Sequence, residues 1–202
     1  MKRRKAIRSS SIALGGLLSG PAILSLLQSC KSEPRGGAGT ANLESEFLSG
    51  EESAFIRSFV ETILPRTNTP GALDVGVDVF LDKLFARAYD SDGQANVRRD
   101  IKAFNDNCIK SHGKAFAELE DKDRAAVLKS AESNSGKFGR GVWGKGVGPQ
   151  PEVSFYRSLK STAIWAFMTS EKIGTEVLNY DPVPGDYLGC IPVSDVGNKW
   201  SL

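Results

Sequence analysis

The sequence has one histidine, three cysteines, and 26 Lys and Arg that nearly cancel 24 Asp and Glu. Each scarcity removes a class of function. A lone His112 without clustered cysteines argues against a zinc site. With no C-x-x-C-H motif, covalent c-type haem is excluded. No nucleophile elbow appears, so no Ser-His-Asp arrangement is marked around His112. The longest apolar stretch, Ile12 to Leu27, is interrupted by Gly15, Gly16, Ser19, Gly20 and Pro21. It falls short of the roughly 20 predominantly apolar residues of a membrane span. What remains is ordinary: 40% apolar and 25% charged residues, as in globular domains. That excludes a disordered chain, a collagen-like repeat and a multi-span membrane protein, and 202 residues can bury a real core.

The charge is unevenly placed. Residues 1–29 hold Lys2, Arg3, Arg4, Lys5 and Arg8 and no acid, which leaves 21 basic against 24 acidic residues in the body, a net −3. A basic start, an apolar stretch and a small residue are the parts of a bacterial export signal. Arg3-Arg4 resembles a twin-arginine signal, although Ala6-Ile7 replaces the usual bulkier pair. The other reading is a general secretory leader with two chance arginines. Leu27-Gln28-Ser29-Cys30 looks like a lipobox, which makes Cys30 the lipidated first residue of a mature lipoprotein. Residues 30–43, with Gly36, Gly37 and Gly39, would then form a flexible stalk, and 44–202 the domain. Cys108 and Cys190 remain, either as a disulfide or as two free buried thiols.

The body reads as helical. Ser49 and Glu52 have capping-box spacing, and Phe55, Ile56, Phe59, Val60, Ile63 and Leu64 follow at helical intervals until Pro65. A turn over Thr67–Gly71 leads to a helix with Val79, Phe80, Leu84, Phe85 and Ala88 on one side. A third helix aligns Val97, Ile101, Phe104 and Cys108, and a fourth, from about 121 to 132, turns Ala125 and Leu128 inward. Ser154 can cap an apolar helix with Phe155, Tyr156, Leu159, Ala163, Trp165, Ala166, Phe167 and Met168. Those residues occupy more than one face, so that helix is either central or docked on a partner. A short helical piece over 172–178 precedes an irregular tail. No run alternates with period two, so the expectation is one all-α domain of five to six helices.

Residues 133–151 form a glycine-rich surface loop containing Gly139-Arg140-Gly141-Val142-Trp143-Gly144, a literal G-x-G-x-x-G. That motif needs a strand before it and a helix after it. Here Ser133-Asn134-Ser135 precedes and Pro149 and Pro151 follow, and Gly146 stands where a P-loop has Ser or Thr. A nucleotide site is therefore not expected, though Phe138 and Trp143 are candidates to anchor the loop or touch a partner. Lys137, Arg140 and Lys145 are diluted by glycine in an acidic body, which disfavours nucleic-acid binding. His112, beside Gly113 at a helix end, fits a C-terminal cap.

Three segments carry a family resemblance. Ile63-Leu64-Pro65-Arg66-Thr67-Asn68-Thr69-Pro70-Gly71-Ala72, followed by Gly76-Val77, is similar to an I-P-x-T-x-T-P-G-A stretch. Phe155-Tyr156, Leu159-Lys160 and Thr169-Ser170-Glu171 resemble an apolar helix and its exit. Tyr180-x-Pro182-Val183-Pro184-Gly185-x-Tyr187-x-Gly189-Cys190-Ile191-Pro192 resembles a closing motif. Together they resemble the gluconate 2-dehydrogenase subunit 3 family, from about Phe47 to Pro192, with the glycine-rich loop as a divergent insert.

The resemblance implies a non-catalytic helical partner of a glucose-methanol-choline-type FAD dehydrogenase, with a multi-haem cytochrome c often completing the complex. In several such complexes the small subunit carries the twin-arginine signal and takes its partner across the membrane. No cofactor is expected in this chain, and FAD is expected in the partner. Docking is expected at Phe155, Tyr156, Trp165, Pro182, Pro184, Gly185, Tyr187, Gly189, Cys190 and Pro192. The prolines limit the unbound backbone, which lowers the entropy lost when an extended segment docks. The same tail could instead wrap this chain's own helices. The expected location is the periplasmic side of a bacterial envelope, held by lipid. The alternative is a stand-alone envelope lipoprotein that binds a ligand or protein without an oxidoreductase role.

Overall fold

Ser49 starts the first helix as its spacing predicts. Its hydroxyl accepts from the Glu52 amide, and the Glu52 carboxylate accepts from the Ser49 amide at 2.8 Å. Two amides that the helix cannot pair are thereby satisfied. This helix, α1 (Gly50–Ile63), stops ahead of Pro65, which lacks the amide a further turn needs. Around it pack α2 (Val77–Ala88), α3 (Ser91–His112), α4 (Asp121–Asn134) and α5 (Phe155–Met168). Two short helices follow, α6 (Glu171–Glu176) and α7 (Val193–Val196). The computed structural model describes residues 45–139, 141–142, 145–146, 148–149, 152–181, 183, 185–186 and 189–201, all within one compact unit. The fold is all-α.

Aromatic rings set the core. Phe55, fully buried on α1, meets Phe59, Phe104, Phe116 and Phe155, with ring centroids 5.3 to 6.4 Å apart. Phe116 arrives on a 3₁₀ turn, Phe116–Glu118, between α3 and α4. α3 presents Val97, Ile101 and Cys108 inward and ends at exposed His112, with Gly113 at φ +73° taking the left-handed cap. α5 lies on α1, α2 and α4, burying Tyr156, Leu159, Ala163 and Ala166.

The structure corrects two helix faces. On α2 the buried set is Val77, Leu81 and Phe85, together with Asp78 and Asp82, whereas Phe80 and Ala88 are exposed and Val79 and Leu84 half-buried. Hydropathy points the wrong way because both acids are satisfied inside. Asp78 pairs with Arg57 at 2.5 Å, and Asp82 accepts four hydrogen bonds. On α4, Leu128 is buried but Ala125 is exposed; Val127 and Ala131 take the inner side. The glycine-rich loop also holds a two-residue antiparallel pair, β1 (Gly141–Val142) with β2 (Lys145–Gly146). Among the described residues no helix is long and apolar enough to cross a membrane. The expectations for Arg3, Arg4, Cys30 and the stalk lie outside the described residues, as do those for Arg140, Trp143, Gly144 and Pro151.

Candidate interaction surface

The segment after α1 folds as a clasp. Ala72, fully buried, donates its amide to the Leu64 carbonyl at 2.9 Å, and Val77 donates to Ala72 at 3.0 Å. Arg66 grips Asp74 with Nε and Nη2, and the Gly71 amide donates to the same carboxylate at 2.8 Å. Arg66 first, then the Gly71 amide, hold the Asp74 carboxyl below its ordinary range. A Cβ on Gly71 would stand 2.6 Å from the Arg66 nitrogen and 3.0 Å from the Pro65 carbonyl carbon, both backbone atoms. Gly76, at φ +70°, turns the chain into α2. Arg66, Thr67, Thr69, Gly71 and Asp74 all bond within this stretch, which gives the motif a structural role.

A second cluster fixes the residues ahead of α1. Asp82 accepts from Ser45 Oγ (2.7 Å) and from the amides of Glu46 (2.7 Å), Phe47 (3.1 Å) and Leu48 (2.8 Å). Burial works to raise the Asp82 pKa, but these four donors outweigh it and hold the carboxyl below its usual range. Arg87 takes Glu46 bidentately at 2.8 and 2.6 Å, and Arg98 stacks 4.3 Å over the Phe47 ring. These charges are engaged in holding the chain, not in chemistry.

Catalytic geometry is missing among the described residues. Cys108 and Cys190 are both free thiols, the first buried and raised in pKa by that burial, the second exposed. The disulfide reading therefore does not hold here. An open hollow of about 420 Å³ between α3 and α4 is lined by Phe104, Asn107, Cys108, His112, Val127 and Ala131 among others. No carboxylate lines it, so it offers His112 no acid–base partner. No group of three or more His, Cys, Asp or Glu side chains able to hold a metal forms among the described residues.

The docking candidates separate by exposure. Ser154 caps α5 with its hydroxyl, as its place predicts. Tyr156 is only 5% exposed and packs edge-on against Phe59, while Phe155 is half-buried against Phe55. Glu132 of α4 reaches α5, bonding Lys160 at 2.7 Å and Arg157 at 3.0 Å. Lys160, Tyr156 and Arg157 hold the Glu132 carboxyl down at about 2. Of the three aromatic candidates on α5, Trp165 alone gives its ring to solvent, at 56% exposure.

The tail is held at its ends and open in its middle. Asn179 pairs in parallel with Trp200; its amide donates to the Lys199 carbonyl (2.9 Å), and its carbonyl accepts from the Ser201 amide (3.0 Å). Its side chain donates to the carbonyls of Val196 and Asn198 and accepts from the Asn198 amide. Between these ends Tyr180, Val183, Gly185, Gly189, Cys190, Ile191, Pro192 and Val193 are exposed, Val183 at 81% and Val193 at 89%. A Cβ on Gly185 would meet nothing within 4 Å of its own chain. Pro182, Pro184 and Tyr187 lie outside the described residues. The end of the tail returns to α6, where a Cβ on Gly174 would stand 3.8 Å from Ser201 Cβ and Asn198 donates to the Val177 carbonyl at 2.8 Å.

The sequence profile described as Gluconate 2-dehydrogenase subunit 3 matches residues 50–185, about two-thirds of the chain. The chain belongs to the gluconate 2-dehydrogenase subunit 3 family. The match covers the clasp, α1 to α6 and the start of the tail, and stops at Gly185, ahead of the last part of the closing motif. No curated protein and no solved structure matches the chain. The description is that of one subunit of a multi-subunit dehydrogenase, so family membership implies dehydrogenase partners.

Proposed function

We propose that this chain is an exported accessory subunit of a periplasmic FAD-dependent sugar or polyol dehydrogenase. It binds and stabilises the flavoprotein subunit, accompanies it through twin-arginine export, and stays on the membrane through lipid at Cys30. A c-type cytochrome is a further partner of the complex. The observation that carries the reading is the tail: a loop pinned by Asn179 whose apolar side chains and unobstructed Gly185 face outward. Exposed apolar groups on a restrained backbone lose little entropy on docking, which is how a small surface supplies useful affinity. Family membership names the partner class, and the basic leader supports export. Removing this chain from its host should leave the flavoprotein in the cytoplasm, and supplying it again should restore periplasmic flavoprotein. Unchanged export without the chain overturns the export role.

A further inference from the structure

We propose that the outward face of α2, together with Trp165, contacts the bilayer. In this arrangement Phe80 and Trp165 sit at headgroup level, and Lys83 faces anionic lipid phosphates. The inference rests on the lipid-anchor part of the proposed function. Phe80 is 37% exposed and lies edge-on to Trp165 with ring centroids 5.6 Å apart, so the two make one patch. Tryptophan at an apolar–polar boundary is the side chain most suited to the headgroup region.

The charges select the occupant. Phe80, Lys83, Leu84 and Arg87 follow one another at i, i+3, i+4 and i+7, and both acids of α2, Asp78 and Asp82, are buried. Residues Phe155–Met168 of α5 contain no acid, and the positions three and four residues from Trp165 along its helix face are Ser161, Thr162, Met168 and Thr169. One carboxylate, Glu46, stands at the border, held by Arg87. An apolar patch with Lys83 and hydroxyl neighbours beside it complements an anionic lipid surface.

The tether leads to the same face. Ser45 to Leu48 are bonded to Asp82 of α2 and Glu46 to Arg87, so the chain leaves the domain beside this patch. From Cys30 to Ser45 an extended chain reaches at most about 50 Å. A tether that short keeps the patch at high local concentration over the membrane, and modest intrinsic affinity suffices.

The test uses the full mature chain with Cys30→Ser, which removes the lipid, and Trp143→Phe with Trp200→Phe, which leaves Trp165 as its sole tryptophan. Vesicles of phosphatidylethanolamine with phosphatidylglycerol should shift Trp165 emission to the blue, and brominated acyl chains should quench it. Phe80→Ser should weaken partitioning by about tenfold. Lys83→Glu should weaken it only where phosphatidylglycerol is present, and circular dichroism shows that both variants fold. Emission that vesicles leave unchanged overturns the proposal. So does emission that responds to purified flavoprotein and not to lipid, which assigns the patch to a protein partner. Failure of the anchor reads out separately, as an unlipidated Cys30 in the mass of the chain from native membranes.

Discussion

Replacing Asp82 by Asn tests whether one carboxylate holds the leading segment to the domain. Asp82 is 7% exposed and accepts from one hydroxyl and three consecutive amides. Hydrogen bonds to a charged group contribute about 1.5–3 kcal/mol each, against about 1 for neutral ones. An Asn oxygen can keep about two of the four as neutral bonds, while its NH₂ faces donors. At the low end of these values the net loss comes to about 4 kcal/mol, a large part of the 5–15 kcal/mol available to a domain. At 2–4 °C per kcal/mol for this size, Tm should fall by about 8–16 °C. The pH dependence follows from the lowered carboxyl. Its charge stabilises the fold fully above the unfolded value of about 3.9, and that contribution is lost as pH falls through the lower folded value. Urea unfolding of both proteins should show a constant gap from about pH 7 to 5 that closes in acid. A gap below about 0.5 kcal/mol, or one that persists unchanged to the acid limit, refutes the reasoning.

Gly71→Ala drives a Cβ into the Arg66 and Pro65 backbone and should cost about 2–3 kcal/mol. Gly76→Ala meets no atom and should cost about 1 kcal/mol, from its left-handed φ alone. Equilibrium urea unfolding separates the two. Glu132→Gln should lower the thermal midpoint at neutral pH and match the parent near pH 2, because the carboxyl is held at about 2 and its contribution disappears between about 4.5 and that value. Asn179→Ala should raise hydrogen exchange over residues 180–201 and weaken flavoprotein binding while barely moving the core melting transition.

Helix spacing reads well where hydropathy and burial agree. α1, α3 and α5 show their caps and stripes in Ser49, Glu52, Gly113 and Ser154, each acting through local contacts. α2 misleads because Asp78 and Asp82 are buried against partners 21 and 34 to 37 residues away, which no local window contains. Ala125 misleads because alanine tolerates either side of a helix, and α4 turns instead on Leu128. The clasp motif is legible as a run of turn residues, but its reason, the approach of Gly71 to Arg66 and Pro65, needs the fold. Among the docking candidates, sequence cannot separate Tyr156 from Trp165. Both are aromatic on one apolar helix, and only the position of α1 decides which is covered.

The central claim is that this chain is built to hold a dehydrogenase subunit. Affinity purification of the chain from its native membranes in mild detergent tests it most directly. The account predicts a flavin-containing dehydrogenase recovered with the parent chain and depleted with Asn179→Ala. Recovery of the chain without any flavoprotein would contradict it.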